Sequence, residues 1–395
     1  MRLFFRFLAV LMLIIAPFSW GAIHNAQAAE EDQAQLICLN IGKADCMLLL
    51  YGDEAWLIDT GYHQTYAALE TMLSQYGVAR LNGVILTHCH EDHEGGMEAL
   101  AESNIQVDNW YAAKIYYDVK ETKHAARLAA SARNTQVTWL EAGMMLPIGK
   151  DAALSILGPL QINKENENNN SLVMHFSSPH GSILFAGDMK EEEEADLIRA
   201  GVLPKADVLK VGHHGDNKAT TLPFLRAVQP KVAVILTSTF EEPDTPSNAT
   251  LSRLSAVGCH AFVSQDAHDA LKLTLKNGAI TVDDISWGHV PAAADGLILS
   301  LNTGEDLAVI TNQGDQVVQL SGFQLYSSRG EDSLYLPEKL LLPGESYIVG
   351  TRATSVPYDL KWDKKQIWHE KKRDMAILYD PYGRILACTD NGLPE

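Results

Sequence analysis

Ten residues constrain this chain more than anything else in it: Thr87-His88-Cys89-His90-Glu91-Asp92-His93-Glu94-Gly95-Gly96, placed directly after the apolar run Gly83 to Leu86. A metal site needs neutral imidazoles and a carboxylate aimed at one point, and a tight loop leaving a buried strand delivers them. His88 and His90 fit one cation, while Asp92 and His93 turn towards a second. Gly95 and Gly96 let the backbone pass closely into a helix. The competing account, a solvated polar loop with stray histidines, leaves the spacing unexplained. Cys89 alternates away from its neighbours and reads as a small packed residue.

Around this loop the chain reads as a mixed α/β domain over 34–286. LICLN, MLLLY, AWLID, SILFAG, VLKVG and VAVILTS read as strands, with helical stretches at 66–76, 121–133, 191–201, 222–228 and 248–257. The acidic run Glu191 to Glu194 reads as a solvated helix start, where the dipole favours acids. His175 reads as packed inside an apolar strand, and His260 and His268 as structural or exposed. GHVPAAADG over 288–296 reads as a linker. Beyond it, over 296–391, short apolar runs at strand spacing imply an all-β sandwich of about 100 residues.

Residues 1–28 carry Arg2 and Arg6, an apolar stretch broken by Pro17, and Ala26-Gln27-Ala28, the order of a secretory signal peptide cleaved near Ala28. The mature chain is therefore expected to be secreted or extracytoplasmic, with no transmembrane segment. The formal charge of −19 excludes a blanket basic field for nucleic acid, so a phosphate substrate must be held locally. Five scattered cysteines fit neither a dense disulfide framework nor a paired C-x-x-C zinc site.

THCHEDHEGG resembles the H-x-H-x-D-H signature of the metallo-β-lactamase fold, a four-layer αββα sandwich of metal-dependent hydrolases. Leu57-Ile58-Asp59-Thr60-Gly61 is similar to that family's early aspartate turn, which implies that Asp59 supports the histidine loop. Phe185-Ala186-Gly187-Asp188 is similar to its G-D motif, whose carboxylate bridges two metals. Leu209-Lys210-Val211-Gly212-His213-His214-Gly215 and Asn40-Ile41-Gly42-Lys43-Ala44-Asp45-Cys46 resemble a narrower branch, which includes the competence protein ComEC and teichoic-acid phosphorylcholine esterase. The resemblance implies two divalent ions, zinc or else manganese, on His88, His90, Asp92, His93 and Asp188. It implies catalytic roles for His213, His214 and Asp59, with one histidine of the pair a ligand or acid and the other orienting substrate; which is which stays open.

Two departures stand out. Where many members carry another histidine, this chain has Asn168-Asn169-Asn170-Ser171, and Asn170 and Ser171 are expected to touch substrate. Where the branch often has His before Pro, this chain has Thr245-Pro246. The C-terminal runs, with Leu342-Pro343-Gly344, Trp368 and Asp380-Pro381-Tyr382-Gly383, resemble the lamin-tail domain, an immunoglobulin-like sandwich often attached to exported hydrolases. Lys361 to Arg373, with Lys364 and Lys365 between Trp362 and Trp368, is a candidate polyanion or envelope contact; the competing account is a polar hairpin with core tryptophans. The function expected is an exported metal-dependent hydrolase acting through a hydroxide generated between two metals. The expected substrate is a phosphodiester, DNA first. The alternatives are a teichoic-acid phosphorylcholine ester or lactone hydrolase, or a polyanion-binding envelope protein with a degenerate site.

Overall fold

A computed structural model of the chain describes residues 33–114, 137–239, 241–287, 296–330, 332–351, 353–381 and 384–393. The expected leader, the helix read over 121–133, most of the linker and the end of the DPYG run lie outside them.

Two mixed sheets face each other. The first has eight strands in the order Ala279–Ile285, Ala270–Lys276, Ala34–Leu39, Met47–Tyr51, Glu54–Ile58, Gly83–Leu86, Trp110–Ala113 and Val137–Leu140. The second has seven, in the order His260–Val263, Val232–Ile235, Val208–Lys210, Gly181–Phe185, Val173–Ser178, Ala152–Gly158 and Met145–Ile148. Their central strands, such as Ala34–Leu39, Met47–Tyr51 and Gly83–Leu86, are apolar on both faces because both faces are covered. Leu36, Cys38, Met47 and Leu49 meet Phe176, Ile183, Phe185 and Val208 between the sheets. The alternate residues Ile37, Leu39, Leu48 and Leu50 instead pack outwards, in one cluster with Leu69, Met72, Leu73, Met97 and Leu100 of the helices Tyr66–Gln75 and Met97–Glu102. On the far side, Leu184 and Leu209 pack under Leu197, Phe224, Leu225 and Leu254 of the helices Glu191–Ala200, Leu222–Val228 and Asn248–Ala256. Four layers, αββα, result.

Residues 296–393 contain only strands among the described elements. Two four-stranded sheets, Leu297–Asn302/Leu307–Asn312/Ser346–Gly350/Leu360–Lys361 and Asp332–Tyr335/Gln324–Ser327/Met375–Tyr379/Ile385–Asp390, enclose one apolar cluster. Trp362 and Trp368 belong to that cluster, 5.9 Å apart and edge to face. This corrects the aromatic half of the proposed polyanion strip: neither ring is free to stack on a base. Lys364 and Lys365 remain exposed, with Lys364 paired to Asp332.

The acidic run also departs from expectation. Glu193 and Glu194 are buried rather than solvated. Glu193 accepts from the Leu160 N–H at 3.1 Å, and Glu194 accepts from the Thr221 N–H at 2.9 Å and from the Thr220 N–H. Burial raises the Glu193 carboxyl to about 7. Successive helix positions are about 100° apart, so two neighbours of a four-acid run share the inward side, where backbone donors hold them.

Candidate metal centre

The site stands where parallel strands end. Asp59 follows Glu54–Ile58, the histidine loop follows Gly83–Leu86, Asp188 follows Gly181–Phe185, and His213 and His214 follow Val208–Lys210. Carboxyl ends of parallel strands are where open α/β sheets place ligands. Gly95 and Gly96 are required there for closeness rather than for an unusual turn. A Cβ on Gly96 would meet the Thr60 carbonyl at 2.5 Å, and one on Gly95 the His63 nitrogen at 2.6 Å. That proximity lets the Thr60 N–H donate to the His93 carbonyl at 2.7 Å, locking the aspartate turn onto the histidine loop.

Two ligand groups share one carboxylate. His88, His90 and Asp188 form the first; Asp92, His93, Asp188 and His214 form the second, and in each the ligand atoms lie within 4.8 Å of one another. In the first, His88 Nε2 lies 3.8 Å from Asp188 Oδ2 and 2.9 Å from His90 Nδ1, while His90 Nε2 is 3.0 Å from Glu167 Oε2. In the second, His93 Nε2 and His214 Nε2 approach Asp188 Oδ2 at 3.3 and 3.4 Å, and His214 Nε2 lies 3.2 Å from Asp92 Oδ2.

Hydrogen bonds behind the rings decide which nitrogen faces inwards. His93 Nδ1 is 2.7 Å from Asp59 Oδ2, and Asp59 in turn accepts from the Thr87 N–H and hydroxyl at 2.7 and 2.8 Å. His214 Nδ1 donates to the Leu236 carbonyl at 2.7 Å. With Nδ1 occupied, Nε2 is the nitrogen that faces the centre, the orientation metal-ligating histidines use. His214 therefore belongs with the ligands. His213 does not join either group: its Nε2 accepts from the Asn168 amide at 3.2 Å and lies 3.9 Å from Asp188 Oδ2, and its Nδ1 faces Asp216 at 3.7 Å. The His213 ring, outweighing burial, holds the Asp216 carboxyl down to about 2.

Both histidines adopt the left-handed backbone region, with φ of 43° and 52°, followed by Gly215 at 85°. For non-glycine residues this costs of order 1–3 kcal/mol each and persists only where the surroundings enforce it. Here Thr220 Oγ1 accepts from the Gly212 N–H at 3.2 Å, and Glu194 fixes Thr220 from behind.

The donor set fits divalent cations. His93 Nε2, His214 Nε2 and Asp188 Oδ1 are buried without a hydrogen-bond partner among the described residues. Buried polar atoms that converge without partners are what a cation satisfies. Four acids, Asp45, Asp59, Asp92 and Asp188, crowd the same space against two lysines, Lys43 and Lys210. Burial opposes charge on His93, yet Asp188, Asp59, Asp92 and Asp45 pull its pKa well above the ordinary value; His214, by the same balance led by Asp188, reaches about 9. Burial, reinforced by His93, pushes His88 the other way.

Several expectations are relocated. Asp59 is buried behind His93 and positions it rather than facing a reactant. Asn170 and Ser171, expected to touch substrate, are also buried. The Asn170 side chain bonds the backbone N–H and carbonyl of Asn163 at 2.7 and 2.9 Å, and Ser171 Oγ accepts from the Asp188 N–H at 3.0 Å. They shape the loop and aim Asp188. Thr245, in place of the branch's histidine, is bonded to Thr237 at 2.6 Å, and His214 supplies an imidazole to that ligand group. Sequence reasoning missed Asp45 and Lys210, both wholly buried. The Lys210 ammonium pairs with Asp45 and lies 3.8 Å from Asp188 Oδ1. Their signal was a charged residue inside an apolar run.

Residues 39–239, about half of the chain, match the metallo-beta-lactamase superfamily. The chain belongs to that superfamily. Within the superfamily it is similar to competence proteins: it is 30% identical over 222 residues to ComE operon protein 3 of Bacillus subtilis (strain 168), covering 51% of this chain and 28% of that protein. It is also 27% identical over 274 residues to Competence protein ComA of Neisseria gonorrhoeae, covering 68% and 36% respectively. The chain thus spans about a third of the length of these relatives. Among solved structures, the diiron β-hydroxylase CmlA of Streptomyces venezuelae aligns with a TM-score of 0.43 at 14% identity, covering 63% of this chain and 54% of that one. No helix among the described residues is long and apolar enough to cross a membrane.

Proposed function

We propose that the protein is an exported metal-dependent hydrolase of phosphodiesters, with DNA the first substrate to try, and that zinc, or else manganese, occupies both ligand groups. The observation that carries this is the sharing of Asp188 by two groups of imidazoles and carboxylates. Held by these residues, a pair of dications would supply Lewis acidity, lowering the pKa of bound water towards neutrality and offsetting charge on a phosphoryl oxygen. His88, His90 and Asp188 would hold one ion; Asp92, His93, Asp188 and His214 the other. Asp59 fixes the His93 tautomer, and Ser171 fixes the Asp188 backbone. His213, beside the shared carboxylate but outside both groups, would orient substrate or, in the tautomer with its proton on Nε2, give that proton to the leaving oxygen. The competence relatives favour a nucleic-acid substrate by analogy.

The leader, cleaved near Ala28, would export a chain built of two modules, 34–286 and 296–391, the second of lamin-tail type and binding the envelope or substrate. A second reading, a polyanion-binding protein with a degenerate centre, draws on the shorter donor list of the His88 group. The assay offers the zinc- or manganese-loaded protein a bis-aryl phosphodiester, single-stranded DNA and a lactone. Turnover of a phosphate substrate that vanishes in Asp188→Ala is expected. Failure on both phosphates with two ions bound refutes the proposal, and lactone turnover alone would reassign the substrate.

A further inference from the structure

The C-terminal sandwich touches the first domain at the edge of the metal centre. Tyr379, fully buried at the end of the strand Met375–Tyr379, donates its hydroxyl to Glu241 Oε1 at 2.8 Å. The same carboxylate accepts from the Lys43 N–H through Oε2. It lies so close over Gly42 that a Cβ there would fall 2.3 Å from Oε2, and Gly42 has a φ of 87°. Glu241 therefore packs over the left-handed Gly42, bonded to the Lys43 N–H on one side and to Tyr379 on the other. A second tie reaches the same loop: Arg384 Nη1 is 3.4 Å from Asp269 Oδ1, and the Asp269 carbonyl accepts from the Asn40 N–H at 3.0 Å.

The segment so held, residues 40–46, carries two groups into the centre. Asp45 goes beneath it, to Lys210. Lys43 goes to its mouth, its ammonium 3.6 Å from Asp92 Oδ2 and 3.1 Å from Glu242 Oε2. Its side chain is 18% exposed, beside His90 at 28% and His213 at 13%, whereas His93 and His214 are at 0%. An ammonium has three N–H donors, and among the described residues two carboxylates face this one. When a cation takes up the charge of Asp92, the ammonium keeps a donor and its charge for an anion at the opening.

We propose that the C-terminal sandwich is a working part of the centre: Tyr379, through Glu241, holds Gly42 and Lys43 in place, and Lys43 grips an anionic oxygen of the substrate. Lys43 is the binding contact; Glu241 and Tyr379 are positioning residues. The assignment of the anion as phosphate rests on the hydrolase reading above, but its test needs no turnover.

The full-length protein, loaded with zinc, is titrated calorimetrically with inorganic phosphate, and zinc per chain is counted by elemental analysis. Lys43→Met should bind phosphate about tenfold more weakly and Tyr379→Phe about threefold to fivefold more weakly, each still holding two zinc ions. Lys43→Arg should restore most of the loss. The double variant should be no weaker than Lys43→Met alone, since both changes act through one contact. Lys43→Gln replaces Lys43→Met if the latter does not fold. Unchanged phosphate affinity in Tyr379→Phe overturns the role of the sandwich, as does full additivity in the double variant. Unchanged affinity in Lys43→Met overturns the contact itself. If the wild type binds phosphate yet cleaves no phosphodiester, the hydrolase reading fails while this one stands. Turnover with a phosphate affinity indifferent to Lys43 leaves the hydrolase reading in place and removes the Lys43 contact.

Discussion

The ligand group around His93 is buried except at Asp92, whose side chain is 13% exposed, whereas the group around His88 and His90 reaches solvent through His90, at 28%. In the deep group His93 leans on Asp59, itself held twice by Thr87, and His214 leans on the Leu236 carbonyl. In the shallow group His90 leans on Glu167, a partly exposed acid of the polar loop. Asp188 belongs to both. Buried, hydrogen-bonded supports keep ligands in place without a reorganisation cost, so on the two-ion proposal the deep group is expected to hold its ion more tightly than the shallow group.

The sharpest way to break this comparison is to remove what the groups share. Asp188→Ala should abolish measurable turnover, a loss of at least about a thousandfold, and reduce bound metal below two ions per chain. Retention of two ions by elemental analysis would show that the groups are independent. A smaller effect separates them. Asp59→Asn should weaken the deep ion by about 10- to 100-fold, read by competition with a chromophoric chelator, and leave the shallow ion unchanged.

Acidity distinguishes the groups as well. In the metal-free protein the carboxylates keep His93 and His214 protonated, His214 up to about pH 9. An ion entering the deep group must displace those protons. Its affinity should therefore rise with pH, by about tenfold per unit for each proton displaced, and level off for His214 above about pH 9. His88, held neutral by burial and by its neighbour His93, has no proton to give up, so the shallow group should respond less. Calorimetry in buffers of different ionisation enthalpy counts the protons. The smallest effect expected is for Glu167→Gln, a fewfold loss in the shallow group alone, because the Glu167–His90 pair is partly exposed.

Much of this centre could be read from the chain because its ligands are local. His88, His90, Asp92 and His93 share one loop, and spacing alone puts them near each other. Asp188 and His214 needed the family resemblance, since nothing in their own neighbourhoods says which strands become adjacent. The fold was legible in its strands, whose alternate residues feed two cores, but side-chain direction was not. Asn170 and Ser171 bond the backbone of Asn163 and Asp188 rather than facing the opening, and Glu193 and Glu194 turn inwards where an acidic run suggested solvent. Trp362 and Trp368 fill a core that only the pairing of distant strands creates. Asp45 and Lys210 stabilise each other across 165 positions of sequence, a contact no local pattern encodes.

The central claim is that one carboxylate joins two cation sites. Anomalous diffraction from crystals of the zinc-loaded protein, recorded on both sides of the zinc edge, tests it directly. Two peaks about 3.5–4 Å apart are expected, with Asp188 between them, His214 on the deeper ion and His213 on neither. A single peak, or two peaks with Asp188 bound to only one, would contradict it.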